Sequence, residues 1–212
     1  HPLAGRVARN HAIFANALAQ VRQQVSDGEY EVALRTASHC AYHAWMQHSG
    51  VFASPELEAL LAEIGHTLPP RERLASTVGQ PRRVLTLLTS IYAVGGHSRL
   101  AWRWIATDTG SQHTLVLTQQ NGQALPSQLL ELAQAGRVRI VQLDAPSLLE
   151  RAAALRDLLA QADQVVLITH PHDVLVCTAL PAVRNAPPVL AIDHASHVFW
   201  LGVGVSTLAI NT

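Results

Sequence analysis

The sequence is poor in several features that would assign it to a special class of protein. Its 212 residues contain no lysine and only two cysteines. No apolar run approaches the roughly 20 residues that a membrane span requires. The 15 basic residues are all arginine and balance 15 acidic ones, so there is no electrostatic reason to expect nucleic acid or an anionic membrane surface as a partner. We expect a globular protein with no membrane span and no nucleic-acid partner.

The two cysteines predict a reducing compartment. Cys40 and Cys177 lie far apart, and each is flanked by apolar residues. This is typical of buried free thiols rather than of a disulfide framework. The N-terminus HPLAGRVARN also lacks the apolar segment of a secretory signal peptide. We therefore expect a cytoplasmic protein, and the start at His1 without a methionine indicates a fragment of a longer one.

The first third of the chain has helical periodicity. Apolar residues recur at three- and four-residue spacing over residues 10–25, and Asp27-Gly28 then interrupts the pattern. An alanine-rich helical stretch follows over 31–47. Ser54-Pro55 is typical of a further helix start, with serine as the N-cap and proline at the first helical position. These helices predict a cap or interaction region, and they leave open whether it mediates a homo-oligomer.

Beyond the helical region, short apolar runs alternate with helical segments. The alternation contains five strand–crossover units and a sixth strand. Continuous apolar strands separated by helices indicate a parallel sheet covered on both faces. We predict an α/β fold: a small all-α region over 1–75, a linker over 76–81, and a Rossmann-like doubly wound parallel sheet over 82–212.

Polar residues capable of chemistry follow three of the predicted strands. GGHSR follows the first strand, HPHD the fourth and DHASH the fifth. In a Rossmann-type order these strands are neighbours, and ligands bind in the crevice at their carboxyl ends. We therefore expect one ligand site at that edge. Its candidate residues are Gly95, Gly96, His97, Arg99, His170, His172, Asp173, Asp193, His194 and His197.

Each group allows more than one interpretation. The double glycine fits a phosphate-binding turn before a helix or a plain tight corner, and GxGxxG is absent. Histidine and aspartate at short spacing are ligand types for zinc or iron, although HxHxDH is absent. GxSxG is also absent. Two alternatives stay open beside a histidine general base: a non-catalytic nucleotide- or sugar-binding module, and a metal-dependent hydrolase that uses His170, His172, Asp173 and His194.

Three segments together resemble the acceptor-side, N-terminal half of bacterial GT-B fold glycosyltransferases. They are VLTLLTSIYAVGGHSRLAWRWI, ADQVVLITHPHDVLVCTAL and PPVLAIDHASHVFWLGVGVSTLAIN, and the resemblance covers residues 82–212. It implies sugar transfer from a nucleotide-sugar donor to a sugar, lipid or protein acceptor, with no cofactor or metal. It also implies that His194 is the active-site histidine, that Gly95 and Gly96 approach the donor diphosphate or the acceptor, and that His97, His170 and His172 line the cleft.

The chain departs from the family pattern after Thr212. No second Rossmann-like half follows, although in the family that half binds most of the nucleotide-sugar. The basic pair that grips the donor and the acidic residue that holds its ribose or sugar are therefore absent from this chain. We expect this piece alone to have little or no transferase activity.

Overall fold

The computed structural model describes residues 2–193 and 197–211. Helices occupy the N-terminal third of these residues and alternate with strands beyond it. The helices are α1 Pro2–Ser26, α2 Tyr30–Met46, α3 Pro55–His66, α4 Gly96–Thr107, α5 Ser127–Gln134, α6 Leu148–Leu159 and α7 Leu175–Ala179, which the 3₁₀ turn Leu180–Ala182 extends. The strands of the main sheet are β1 Arg82–Leu88, β2 Ser111–Leu117, β3 Val138–Gln142, β4 Gln164–Ile168, β5 Val189–Asp193 and β6 Leu208–Asn211.

Within the described residues, the main sheet has six parallel strands in the order β3-β2-β1-β4-β5-β6. Val84 of β1 lies opposite His113 of β2 on one side and Gln164 of β4 on the other. The strand order therefore reverses between β1 and β4, which is the point where such sheets bind ligands. The predicted Rossmann-like doubly wound sheet with an N-terminal helical region is confirmed.

Alternate residues of the central strand point to opposite faces, and both faces are buried. Leu85 and Leu87 of β1 belong to the apolar core on one face, whereas Val84 and Leu88 belong to the core on the other. α1, α2, α3, α6 and α7 cover the first face, and α4 and α5 cover the second. Burial on both faces is why the strands are nearly continuous apolar runs.

The N-terminal helices share one continuous apolar core with the sheet. Leu61 of α3 is fully buried in the same cluster as Leu87 of β1. α3 also lies so close to α7 that a Cβ on Gly65 would be 2.1 Å from the carbonyl oxygen of Thr178. This close contact packs the end of α3 directly against the helix that follows β4. The boundary over residues 76–81 stays a prediction.

Local signals determine the ends of the N-terminal helices. The Ser54 hydroxyl accepts a hydrogen bond from the backbone N–H of Leu57 at 3.2 Å, which confirms it as the N-cap of α3. Gly28 follows α1 with a φ of +75°, a value that glycine adopts without steric cost. α1 spans 25 residues, yet within the described residues no helix is long and apolar enough to cross a membrane.

Both cysteines are buried free thiols, as predicted. Burial raises the pKa of Cys40 to about 12 and raises the pKa of Cys177 well above its usual value. Because the thiolate is the reactive form, neither cysteine is a nucleophile at neutral pH.

Candidate functional site

The loop after β1 turns at Gly95 and leads directly into α4. Gly95 has a φ of +152°, which favours glycine, and α4 begins at Gly96. Both glycines are exposed, and a Cβ on Gly96 would meet no atom within 4 Å. His97 is half-buried, with its ring centroid 6.4 Å from that of His170, whereas Arg99 is exposed. Of these predicted residues, His97 is therefore the one that joins the loop after β4.

The buried carboxylate of Asp173 anchors the loop after β4. One of its oxygens accepts hydrogen bonds from the hydroxyls of Thr89, at 2.8 Å, and Thr118, and the other accepts one from the N–H of Leu175 at 3.1 Å. The Thr89 hydroxyl in turn accepts a hydrogen bond from the N–H of His170 at 2.8 Å. Asp173 thus ties the ends of β1, β2 and β4 together and positions His170.

Three imidazoles form a row along the loops after β1 and β4. The ring centroid of His170 lies 6.4 Å from that of His97 and 5.8 Å from that of His172. Burial is the main cause that lowers the pKa of all three. The nearby carboxylate of Asp173 raises the pKa of His170 and His172, but the net shift of both is still downward. The three imidazoles are therefore neutral at neutral pH, and each has a nitrogen that can accept a proton.

Helix α2 supplies an aromatic wall beside these histidines. Trp45 stacks on His172, with centroids 5.6 Å apart and ring planes 12° from parallel, and its centroid lies 6.1 Å from that of His170. Tyr42, on the same helix, meets His172 edge-on at 5.4 Å. Ser38 donates a hydrogen bond to the carbonyl oxygen of His172 at 3.0 Å. The helical region is therefore part of this site.

A cavity of about 150 Å³ lies among the loops after β1, β4 and β5. Its walls include Trp45, His97, His170, Asp193 and Trp200. None of the described residues that line it is an arginine. Two indoles provide apolar faces, and imidazole and carboxylate groups provide hydrogen-bond partners. The cavity suits a small, uncharged, polar ligand that also has an apolar face.

Several predicted residues lie away from this cavity. Arg99 and His197 are exposed, and neither lines it. His172 packs on Trp45 without lining it. His194, the predicted active-site histidine, lies outside the described residues. The structure thus brings together His97, His170 and Asp193 of the predicted set.

The described residues contain no metal-binding cluster that would favour the metal-dependent hydrolase, and His194 of that hypothesis lies outside them. Residues 2–193 and 197–211 contain no group of three or more histidine, cysteine, aspartate or glutamate residues arranged to hold a metal ion. Both oxygens of Asp173 already accept hydrogen bonds within the chain, and His172 is stacked on Trp45. The Asp173 carboxylate is therefore engaged in the structure of the loop itself, whereas the buried Nδ1 of His172 has no hydrogen-bond partner among the described residues.

Sequence reasoning missed the aromatic side of the site. Tyr42 and Trp45 stand three apart in AYHAW, which places them on one face of a helix. This spacing indicates that the two rings share a helix face, but it does not indicate which part of the protein that face contacts. Trp200 stands in HVFWLG, directly after the fifth-strand motif, and its position there was the corresponding signal.

Comparisons with known proteins give a likeness in structure rather than in sequence. No protein-family model matches the sequence, and no curated protein matches it at a significant level. Among solved structures, the chain is similar to the K341M mutant of the O-GlcNAc transferase from Thermobaculum terrenum, with a TM-score of 0.44 and 15% identity. The match covers 89% of this chain and 37% of that one, so this chain spans little more than a third of that transferase. The likeness concerns the arrangement of helices and strands and says nothing about ligand or reaction.

Proposed function

We propose that this chain is part of a glycosyltransferase, and that the cavity at the carboxyl edge of its sheet binds a sugar on the acceptor side of the cleft. One observation carries the proposal: the carboxyl ends of three strands and helix α2 together place neutral imidazoles, a carboxylate and two indoles around one cavity. The resemblance of the motif segments to GT-B fold glycosyltransferases supports the same function.

The chemistry of these groups suits a sugar hydroxyl. An indole face packs against the C–H face of a sugar ring, and imidazole and carboxylate groups bind its hydroxyls. A neutral imidazole such as His170 is also a competent general base. It would take the proton of the acceptor hydroxyl while that oxygen bonds to the anomeric carbon and the nucleoside diphosphate leaves. His194, after β5, stays the predicted active-site histidine.

The charge of the cavity favours the acceptor over the donor diphosphate. A diphosphate is normally bound by arginine, lysine or helix N-termini, and none of the described lining residues is an arginine. The donor would then bind mainly to a second domain. One observation favours the alternative of a nucleotide-binding module: two exposed glycines, the N-cap Gly95 and the first helical residue Gly96, form the N-terminus of α4.

Ligand binding by the 212-residue chain tests this function. Methyl glycosides, nucleotide-sugars and nucleoside diphosphates would be compared by saturation-transfer NMR. We expect glycosides to bind weakly and His170→Asn to weaken binding about tenfold, through the loss of one hydrogen-bonding group. The matched control is His66→Asn at the exposed end of α3, which should leave the affinity unchanged.

Two outcomes would contradict the proposal. One is the failure of every glycoside and nucleotide-sugar to bind. The other is binding of nucleoside diphosphates with no contribution from the sugar, which would favour the nucleotide-binding module.

A further inference from the structure

A buried carboxylate of the helical region binds a loop far along the chain. Glu58 of α3 is 7% exposed, and its Oε1 accepts hydrogen bonds from the N–H groups of Gly202 at 2.8 Å and Val203 at 3.1 Å. Its Oε2 accepts one from the N–H of Gly204 at 2.6 Å. Three successive backbone N–H groups that converge on one anion form a nest, so this loop is built around the carboxylate.

The glycines of this loop permit the close approach. A Cβ on Gly204 would lie 2.7 Å from Oε2 of Glu58. Gly202 has a φ of +121°, and a Cβ there would lie 3.3 Å from the ring of Trp200 and 3.0 Å from the side chain of Leu167. Gly202, one of the three residues that Glu58 holds, thus lies against the Trp200 indole, which lines the cavity.

Two further hydrogen bonds place this loop between the helical region and the histidines. The N–H of Trp200 donates to the carbonyl oxygen of Phe52 at 3.1 Å. The N–H of Leu201 donates to the carbonyl oxygen of Pro171, beside His170, at 3.1 Å. The position of the Trp200 indole therefore depends on contacts with both regions.

We propose that Glu58 is a positioning residue for the cavity: it holds the backbone of residues 202–204 and so fixes the Trp200 indole on the cavity wall. The helical region then contributes to the site twice, through the ring of Trp45 and through the carboxylate of Glu58. The effect on ligand affinity rests on the proposed function, whereas the effect on Trp200 does not.

The environment of Trp200 can be measured without a ligand. The chain has four tryptophans, and ¹⁹F NMR of protein labelled with 5-fluorotryptophan reports on each, with assignment by single Trp→Phe variants. Glu58→Gln should shift or split the Trp200 resonance, because the amide cannot accept all three hydrogen bonds. The resonances of Trp102 and Trp104, on α4 across the sheet, should not move. The control is Glu56→Gln, because Glu56 on the same helix pairs with Arg22 in solvent.

A second variant separates positioning from folding. Gly204→Ala keeps the charge of Glu58 but places a Cβ against its carboxylate, so it should also shift the Trp200 resonance. If Glu58→Gln does not fold, the Gly204→Ala variant tests by itself whether the contact with Glu58 positions Trp200. An unchanged Trp200 resonance in both variants would overturn the proposal.

Glycoside affinity provides the second readout. Glu58→Gln should weaken binding about tenfold, while Glu56→Gln leaves it unchanged. If the wild-type chain binds no glycoside, the proposed function fails and the Trp200 resonance alone decides the role of Glu58. A shifted resonance with unchanged affinity would show that Glu58 does not position the binding site.

Discussion

The amino and carboxyl edges of the parallel sheet use their polar side chains in different ways. At the amino edge, Asp163 accepts hydrogen bonds from the Arg83 guanidinium at 2.7 and 3.0 Å and from the Ser76 hydroxyl at 2.6 Å. The hydrogen bonds from Arg83 are the main cause that holds the pKa of Asp163 well below its usual range. A depression of about 740 Å³ adjoins this pair. The charged groups of Arg83 and Asp163, which line this depression, are paired with each other.

At the carboxyl edge, neutral rings replace the ion pair. His172 stacks on Trp45, and the neighbouring His170 lines a cavity of only about 150 Å³ with Trp200. These groups combine hydrogen-bonding capacity with apolar faces, and burial rather than an ion pair is the main cause that shifts the pKa of the two imidazoles. The size of a depression is therefore a poor guide to function in this protein. The larger one is bordered by a structural ion pair, and the smaller one contains the groups suited to a ligand.

Breaking the ion pair of the amino edge should have the largest effect on stability. Asp163→Ala leaves Arg83 without its main partner, and we expect a loss of about 3 kcal/mol in the free energy of unfolding at neutral pH. Because the folded state lowers the pKa of Asp163, this contribution is present above about pH 4 and is lost as the pH falls further. Urea unfolding of both proteins at pH 7 and pH 3 measures it. Asp144→Ala, at an exposed carboxylate, is the control.

Glycoside affinity of the Asp163→Ala variant tests whether the two edges of the sheet act independently. It should equal that of the wild type, because Asp163 lies at the opposite edge from the cavity. A loss of affinity as large as the loss of stability would mean that the two edges are not independent.

Removing the aromatic wall of the carboxyl edge should have the opposite effect to Asp163→Ala: glycoside affinity falls, while stability changes little. Trp45→Ala removes a ring that stacks on His172, and we expect about a tenfold loss of glycoside affinity with about 1 kcal/mol of stability lost. The matched control is Trp102→Ala on α4, which removes the same side chain away from the cavity. Equal loss of affinity in both variants would argue against a specific role for Trp45.

The smallest expected effect is the pH dependence that the buried imidazoles create. Their pKa values are lowered in the folded state, mainly by burial, so the unfolded chain binds more protons below about pH 6.5. Stability should be constant above that pH and fall as the pH drops through the lowered folded values. Urea unfolding between pH 7.5 and pH 5 measures the slope. His170→Asn should reduce the slope, and His66→Asn should leave it unchanged.

The fold was largely predictable because its signals are local. Ser54 and Gly28 mark helix ends by the conformation that their own backbone requires, and apolar periodicity separates helices from strands. The neighbouring positions of β1, β4 and β5 followed from a Rossmann-type order. The edge that carries the candidate site was therefore predictable, and so was the presence of His97, His170 and Asp193 there.

The composition of the site was less predictable because its key contacts join distant parts of the chain. Asp173 was predicted as a ligand-binding residue, yet its carboxylate binds Thr89 and Thr118, whose positions depend on strand register. Nothing in the sequence near Trp45 indicated that it would meet a histidine from the loop after β4. Glu58 had the pattern of an ordinary acidic residue in the first turn of a helix.

The sequence by itself determined the helical N-terminal region, the alternation of strands and helices, and the sheet edge on which the histidines lie. Only the tertiary structure decided that the helical region supplies Trp45 to the site and binds the Trp200 loop through Glu58. The physical reason is that apolar burial is non-directional. Periodicity shows which face of a helix must be buried, but the partner surface follows from how all the elements pack together.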